Sequence, residues 1–130
     1  MLMKLKNQKE LDKLQNCPLK NNPKTIKLFR LVKEETITEN DLIPLILENP
    51  KRFKGKKNEC LSWGLSLFNT RKAAEDTVKF LSKKKRKHKS IYSIVAKEPV
   101  TFKHQSGTNK NHYTVYPYTD IDLIPNFVKE

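Results

Sequence analysis

The sequence predicts a single small α+β domain, with a mainly antiparallel sheet of about four to six strands flanked by two or three helices. Three observations lead there. Runs rich in β-branched and aromatic residues recur at 26–32, 90–96 and 112–118. An amphipathic helix over 70–82, with Ala74, Val78 and Leu81 at i, i+4 and i+7, lies between them. A length of 130 residues fits one domain.

Residues 1–24 read as a basic arm ahead of a domain at 25–130. Leu2, Leu5, Leu11 and Leu14 recur at helical spacing, so one amphipathic helix packed on the domain is expected, ending before Cys17-Pro18. Asn21-Asn-Pro23 reads as a loop. The strand at 26–32 carries Ile26, Leu28, Arg30 and Val32 on one face and Phe29 and Leu31 on the other, the pattern of a central strand. An arginine on such a face is costly without a partner. Arg30 is therefore either a strand-end residue reaching a ligand or half of a buried ion pair. In the first case Arg30→Ala should abolish ligand binding and leave stability nearly intact.

Thr38-Glu-Asn-Asp41 has the form of a helix cap, and Leu42 to Leu47 supplies a short apolar helix limited by Pro44 and stopped by Asn49-Pro50. Residues 51–59 read as a basic loop with a glycine turn. Cys60 to Phe68 reads as an apolar strand broken by Gly64, where a bulge or a close backbone approach is expected. Asn69 or Thr70 caps the 70–82 helix, with Leu81 buried on its sheet-facing side. Beyond it, Ser90–Ala96, Val100–His104 and His112–Tyr118 read as strands, with a turn at Glu98-Pro99 and a loop at 106–111.

The net charge is +13, from 27 basic and 14 acidic residues. Such an excess calls for a polyanion as partner, with nucleic acid foremost. Lysine supplies 23 of the 27 cations, and 11 asparagines accompany them, so part of the charge is also explained by composition. Lysine meets phosphate as a point charge and reads bases poorly. The densest run is Lys83, Lys84, Lys85, Arg86 and Lys87, followed by His88 and Lys89. It cannot be core. It is a solvated loop, a contact to nucleic acid or another polyanion, or a nuclear-localisation match.

Mean hydropathy is −0.74, and no apolar run approaches a membrane span. No signal peptide is recognisable, because Lys4 and Lys6 interrupt the first residues. A reducing cytoplasm is expected, with Cys17 and Cys60 as free thiols. The spacing of His88, His104 and His112 matches no metal motif, so no metal is expected. A nucleophile at Cys60 served by His104 or His112 competes with a buried, inert thiol. There is no Walker loop or dinucleotide glycine fingerprint.

One order of elements carries chemistry. Arg30 lies on the first strand. Ser62-Trp-Gly-Leu-Ser66 then runs into a helix, and His112-Tyr113 opens a late strand. This order resembles a minimal ADP-ribosyltransferase-like fold over roughly 25–118. The resemblance implies NAD as the bound dinucleotide. Arg30 would hold its phosphates or ribose. Ser62, Trp63, Gly64 and Ser66 would form the corner against the nicotinamide ribose, and His112 and Tyr113 would stand on the catalytic strand. The family's usual Glu/Gln-x-Glu pattern is missing. Two functions stay open: an ADP-ribosyltransferase-like transferase, and a non-catalytic basic module binding nucleic acid or an acidic protein.

Overall fold

The computed structural model of the chain describes residues 4–18, 24–98 and 100–130. Leu2, the Asn21–Pro23 loop and Pro99 of the expected turn lie outside the described residues. Six strands form one antiparallel sheet in the order β4-β5-β2-β1-β3-β6. They are β1 (Ile26–Val32), β2 (Leu65–Phe68), β3 (Ser90–Ala96), β4 (Thr101–Gln105), β5 (His112–Pro117) and β6 (Val128–Lys129). The class is α+β, with short helices around the sheet.

Period-two alternation assigns the two faces. Leu28 and Val32 of β1, Leu65 and Leu67 of β2, Tyr92 and Ile94 of β3, and Tyr113 and Val115 of β5 are buried together with Leu42, Leu123 and Phe127 from the connections. Phe29 and Phe68 are buried on the opposite face against Ala74, with Leu31, Ala73 and Ile91 around them. Ala74 lies on α5 (Arg71–Ser82), the longest helix. Thr70 caps it, its hydroxyl accepting from Ala73 N at 3.0 Å. Leu81 is only half-buried and lines a cleft, so the expectation that it anchors the helix moves to Ala74, which has no exposed surface.

Pairing is uneven across the sheet. β1 registers with β3 over seven pairs, β2 with β5 over four and β4 with β5 over five. β1 and β2 meet at one pair, Phe29 opposite Phe68. The sheet is thus two well-stitched halves joined at a narrow seam.

The segment preceding β2 departs from expectation. Cys60 does not open a strand. Glu59–Ser62 is a helical turn, α4, following α1 (Gln8–Asp12), α2 (Leu45–Glu48) and α3 (Pro50–Phe53). Glu59 nucleates it: its carboxylate accepts from Gly55 N at 2.7 Å and from Trp63 Nε1 at 3.3 Å. Local hydrogen bonds outweigh the strand propensity of the apolar run. Pro50 likewise begins α3, with Asn49 as its cap, because proline's missing N–H costs nothing at a first helical position. In place of the expected cap at 38–41 and apolar helix at 42–47 there is a 3-10 turn over Glu39–Leu42 followed by α2, divided at Pro44.

The N-terminal arm packs on the domain. Leu5 bridges to Tyr118, and Leu5 and Leu11 join Ile46, Trp63, Tyr116 and Tyr118 in a third apolar cluster. Cys17 and Cys60 are joined by a disulfide, with Cα atoms 5.8 Å apart. The expected free thiols are therefore corrected: packing of the arm brings together two cysteines 43 positions apart. No helix among the described residues is long and apolar enough to cross a membrane.

Gly64 stands where β2 lies close on β5. A Cβ there would run into Thr114 Cγ2 and would lie 3.1 Å from Tyr116 Cε1 and 3.2 Å from the Val115 carbonyl oxygen. Gly64→Ala should therefore destabilise the fold by about 1–3 kcal/mol, the usual range for overpacking. Urea denaturation checks this, and a loss under about half a kcal/mol would show that the strands can part without cost.

Candidate functional site

A cleft of about 800 Å³ opens between the 39–53 segment, the seam of the sheet and the C-terminal end of α5. Arg30, Ser66 and His112, from three different strands, line it together. Their convergence follows from the seam. Where β1 leaves β2, the Arg30 side chain takes the place of the ladder. Its Nη1 donates to the Ser66 carbonyl at 2.8 Å, and its Nη2 and Nε donate to the Asp41 carbonyl at 2.6 and 3.2 Å. Asp41 is itself fixed, its carboxylate accepting from Thr38 N at 2.9 Å and from Lys33 N at 3.3 Å.

Arg30 is thus neither the free strand-end residue nor the ion-paired one that its sequence context suggests. It is clamped to backbone carbonyls, with Asp41 and Glu48 contributing attraction. Burial pulls its pKa down to about 10, against the pull of those carboxylates, so it stays charged at neutral pH. The three bonds do not exhaust a guanidinium's donors.

His112 starts β5 opposite Phe68, and the two rings meet edge-on with centroids 5.6 Å apart. Its Nδ1 is 2.5 Å from Ser106 Oγ. Burial, then the charge of Arg30, lowers its pKa. His88 also lines the cleft, and its buried Nδ1 has no hydrogen-bond partner. Burial, followed by Arg30 and Lys33, depresses its pKa. Six cationic side chains face the cleft: Arg30, Lys33, Arg52, Lys85, Arg86 and Lys87. The carboxylates there are Asp41 and Glu48, and Glu48 lies 3.8 Å from Lys33 Nζ.

The other residues expected at the site are elsewhere. Tyr113 is buried on the opposite face from His112, as strand alternation requires. Ser62 donates to the Glu59 carbonyl at 2.6 Å. Trp63 belongs to the apolar cluster under the arm, and Gly64 is packed against β5. These three are corrected from ligand corner to scaffold, because α4 turns them away before β2 begins. Within the basic run, Lys85, Arg86 and Lys87 line the cleft, and Lys83 and Lys84 are exposed beyond it. Sequence reasoning missed Glu48, Arg52 and His88. Glu48 follows an apolar helical run and His88 sits inside a lysine tract, and both runs read as something else.

The turn carrying the basic residues has a defined geometry. Arg86 N donates to the Leu81 carbonyl at 3.0 Å and Lys85 N to the Ser82 carbonyl at 3.1 Å, with Lys85 at φ 63°. This is a Schellman C-cap with lysine at the left-handed position that glycine usually fills. The fixed turn aims Arg86 and Lys87 at the cleft mouth. Among the described residues no group of three or more His, Cys, Asp or Glu side chains could hold a metal ion.

Comparison with family models, with curated proteins and with solved structures returns no match. The reading of the cleft therefore rests on its own geometry.

Arg30→Met keeps the stem and removes the clamp. It should cost about 1.5–3 kcal/mol, the range for hydrogen bonds to a charged group. This replaces the expectation that stability survives loss of Arg30. A denaturation midpoint matching the native protein's would show that the seam holds without it.

Both cleft histidines bind protons less readily in the folded protein than in the unfolded chain. They do not affect the pH dependence well above the unfolded pKa of about 6.5. As pH falls through that value the unfolded state takes up more protons, so stability falls until the lower folded pKa is passed. Thermal melts at successive pH values should show this decline, and His112→Gln should make it shallower below about pH 6.5. An unchanged slope in the variant would mean that His112 titrates as an ordinary histidine.

Proposed function

We propose that the chain is an ADP-ribosyltransferase-like domain holding an NAD-type dinucleotide in the cleft, at or near a nucleic acid. The observation that carries this reading is the meeting of Arg30, Ser66 and His112, from β1, β2 and β5, around one cleft. Its volume falls in the range of small-molecule sites, about 300–1,000 Å³. Six cations against two carboxylates favour a diphosphate. The unpartnered Nδ1 of His88 is a polar group that a ligand can satisfy.

In this reading Arg52, Lys85, Arg86 and Lys87 neutralise the phosphates, and Arg30 supplies a fixed positive charge at the floor. His112, held neutral by burial and by Arg30, is suited to accept a proton from an acceptor group. Glu48 replaces the missing family glutamate as the carboxylate that counters positive charge on the ribose. The carboxylate of Asp41 is already bonded to backbone N–H groups. Cytoplasmic residence would expose the Cys17–Cys60 bond to reducing thiols.

Calorimetric titration with NAD and with ADP-ribose should give a Kd between about 1 μM and 1 mM. Arg52→Ala and Lys87→Ala should each weaken binding several-fold with no change in melting temperature. Release of nicotinamide from NAD should fall with Glu48→Gln. Failure of both ligands to bind at about 1 mM would remove the dinucleotide reading. The second reading, a non-catalytic basic module, is favoured by the exposed Lys83–Lys87 run. It predicts binding of a polyanion with no NAD turnover.

A further inference from the structure

Surface lysines on this chain differ in their pairing. Lys13, Lys27, Lys33, Lys72, Lys89 and Lys129 are each within ion-pair distance of a glutamate or aspartate. None of the ion pairs recorded among the described residues involves 51–57 or 83–87. The contrast runs along a single helix. The first turns of α5 are zwitterionic, with Arg71 facing Glu75 at 3.8 Å and Lys72 facing Asp76 at 3.6 Å. Its C-terminal turn and the cap beyond it, Lys79 to Lys87, carry no carboxylate. No ion pair among the described residues involves Lys4, Lys9, Lys79, Lys97 or Lys110 either, but these stand singly. The dense cationic tracts are two, far apart in sequence, Lys51 to Lys57 and Lys83 to Lys87, and they flank the same cleft. Arg52 of the first tract and Lys85, Arg86 and Lys87 of the second line it.

Between the two basic margins the cleft wall is partly apolar. Leu45 is 49% exposed, half-buried Phe53 lines the cleft, and buried Phe68 lies behind them. The Arg52 guanidinium lies over the Phe53 ring, 5.4 Å from its centroid. Cationic margins around an aromatic and aliphatic strip match a chain of phosphates with unpaired bases. A duplex keeps its bases stacked inside and would use only the margins. Lysine ammonium groups grip phosphates without reading sequence.

We infer that the two basic margins bind single-stranded nucleic acid, its backbone on Lys51–Lys57 and Lys83–Lys87 and a base turned into the cleft against Phe53. The inference rests on the proposed nucleotide site and names the acceptor side of that site. Binding is independent of base sequence, and the Schellman turn at Lys85 keeps one margin in place before the strand arrives.

Fluorescence anisotropy with a labelled oligothymidylate of about 15 nucleotides tests this, alongside a duplex of equal length and phosphatidylserine vesicles. The single strand should bind at least tenfold tighter than the duplex. With about six phosphates neutralised, its affinity should drop on the order of a few hundredfold between 50 and 200 mM salt. The variant K54Q/K56Q/K57Q/K83Q/K84Q alters only exposed lysines outside the cleft lining. It should keep its melting temperature and its NAD affinity and lose at least tenfold in strand affinity. Phe53→Ala should narrow the gap between single strand and duplex. Equal affinity for strand and duplex, unchanged binding by the quintuple variant, or binding to vesicles without binding to the strand would each overturn the inference. Strand binding as described with no NAD binding would sink the dinucleotide reading and leave the strand site standing. NAD binding without strand binding would do the reverse.

Discussion

The Arg30 clamp holds the two halves of the sheet at the distance that makes a cleft. β1 and β2 share one registered pair. Continued pairing would close the seam, and complete separation would leave the carbonyls of Ser66 and Asp41 without their donor. A guanidinium is long enough to span the gap, and its N–H groups meet both carbonyls from one planar group. The same residue sets the electrostatics. Its charge adds to burial in lowering the pKa of His88 and His112, and makes the cleft floor attractive to anions. A structural device and a binding determinant thus coincide in one side chain, at the point where the backbone ladder is interrupted.

Much of this fold is legible in the sequence because strand alternation is a strong local signal. The boundaries of β1 and β3, and the faces of Leu28 against Phe29 or of His112 against Tyr113, follow from a period of two. Thr70 and the Ala74 stripe mark α5 in the same way. What stayed hidden depends on contacts between distant segments. Cys17 and Cys60 become partners only once the arm lies over Trp63 and Tyr116. The turn at Cys60–Trp63 rests on Glu59 gathering N–H groups from both sides, which outranks an apolar pattern that otherwise reads as strand. Arg30, Ser66 and His112 can be picked out as an ordered series. Glu48 and Arg52 join them only through the packing of the 39–53 segment, and His88 through the connection from α5 to β3, which no periodicity encodes.

Lysine abundance illustrates how one composition serves two physical ends. Paired lysines sit beside carboxylates on exposed surfaces, where each contact contributes little. Others stand singly, and the densest runs of them lie where two segments approach the cleft. Mutual repulsion there is tolerated because the side chains project into water and because α5 presents its negative dipole end to them. The left-handed Lys85 shows that the turn keeps its direction even with an unfavourable residue at its hinge.

The Cys17–Cys60 bond has a topological consequence. It closes a covalent ring over a sequence separation of 43, containing β1, the Glu39–Leu42 turn, α2 and α3. Ring closure of that length restricts the unfolded chain by on the order of 4 kcal/mol. Arg30, Asp41, Glu48 and Arg52 therefore belong to a macrocycle, while Lys85, Arg86, Lys87 and His112 belong to the open chain beyond it. One wall of the cleft would stay covalently attached to the rest even if the backbone were cut between Pro18 and Glu59.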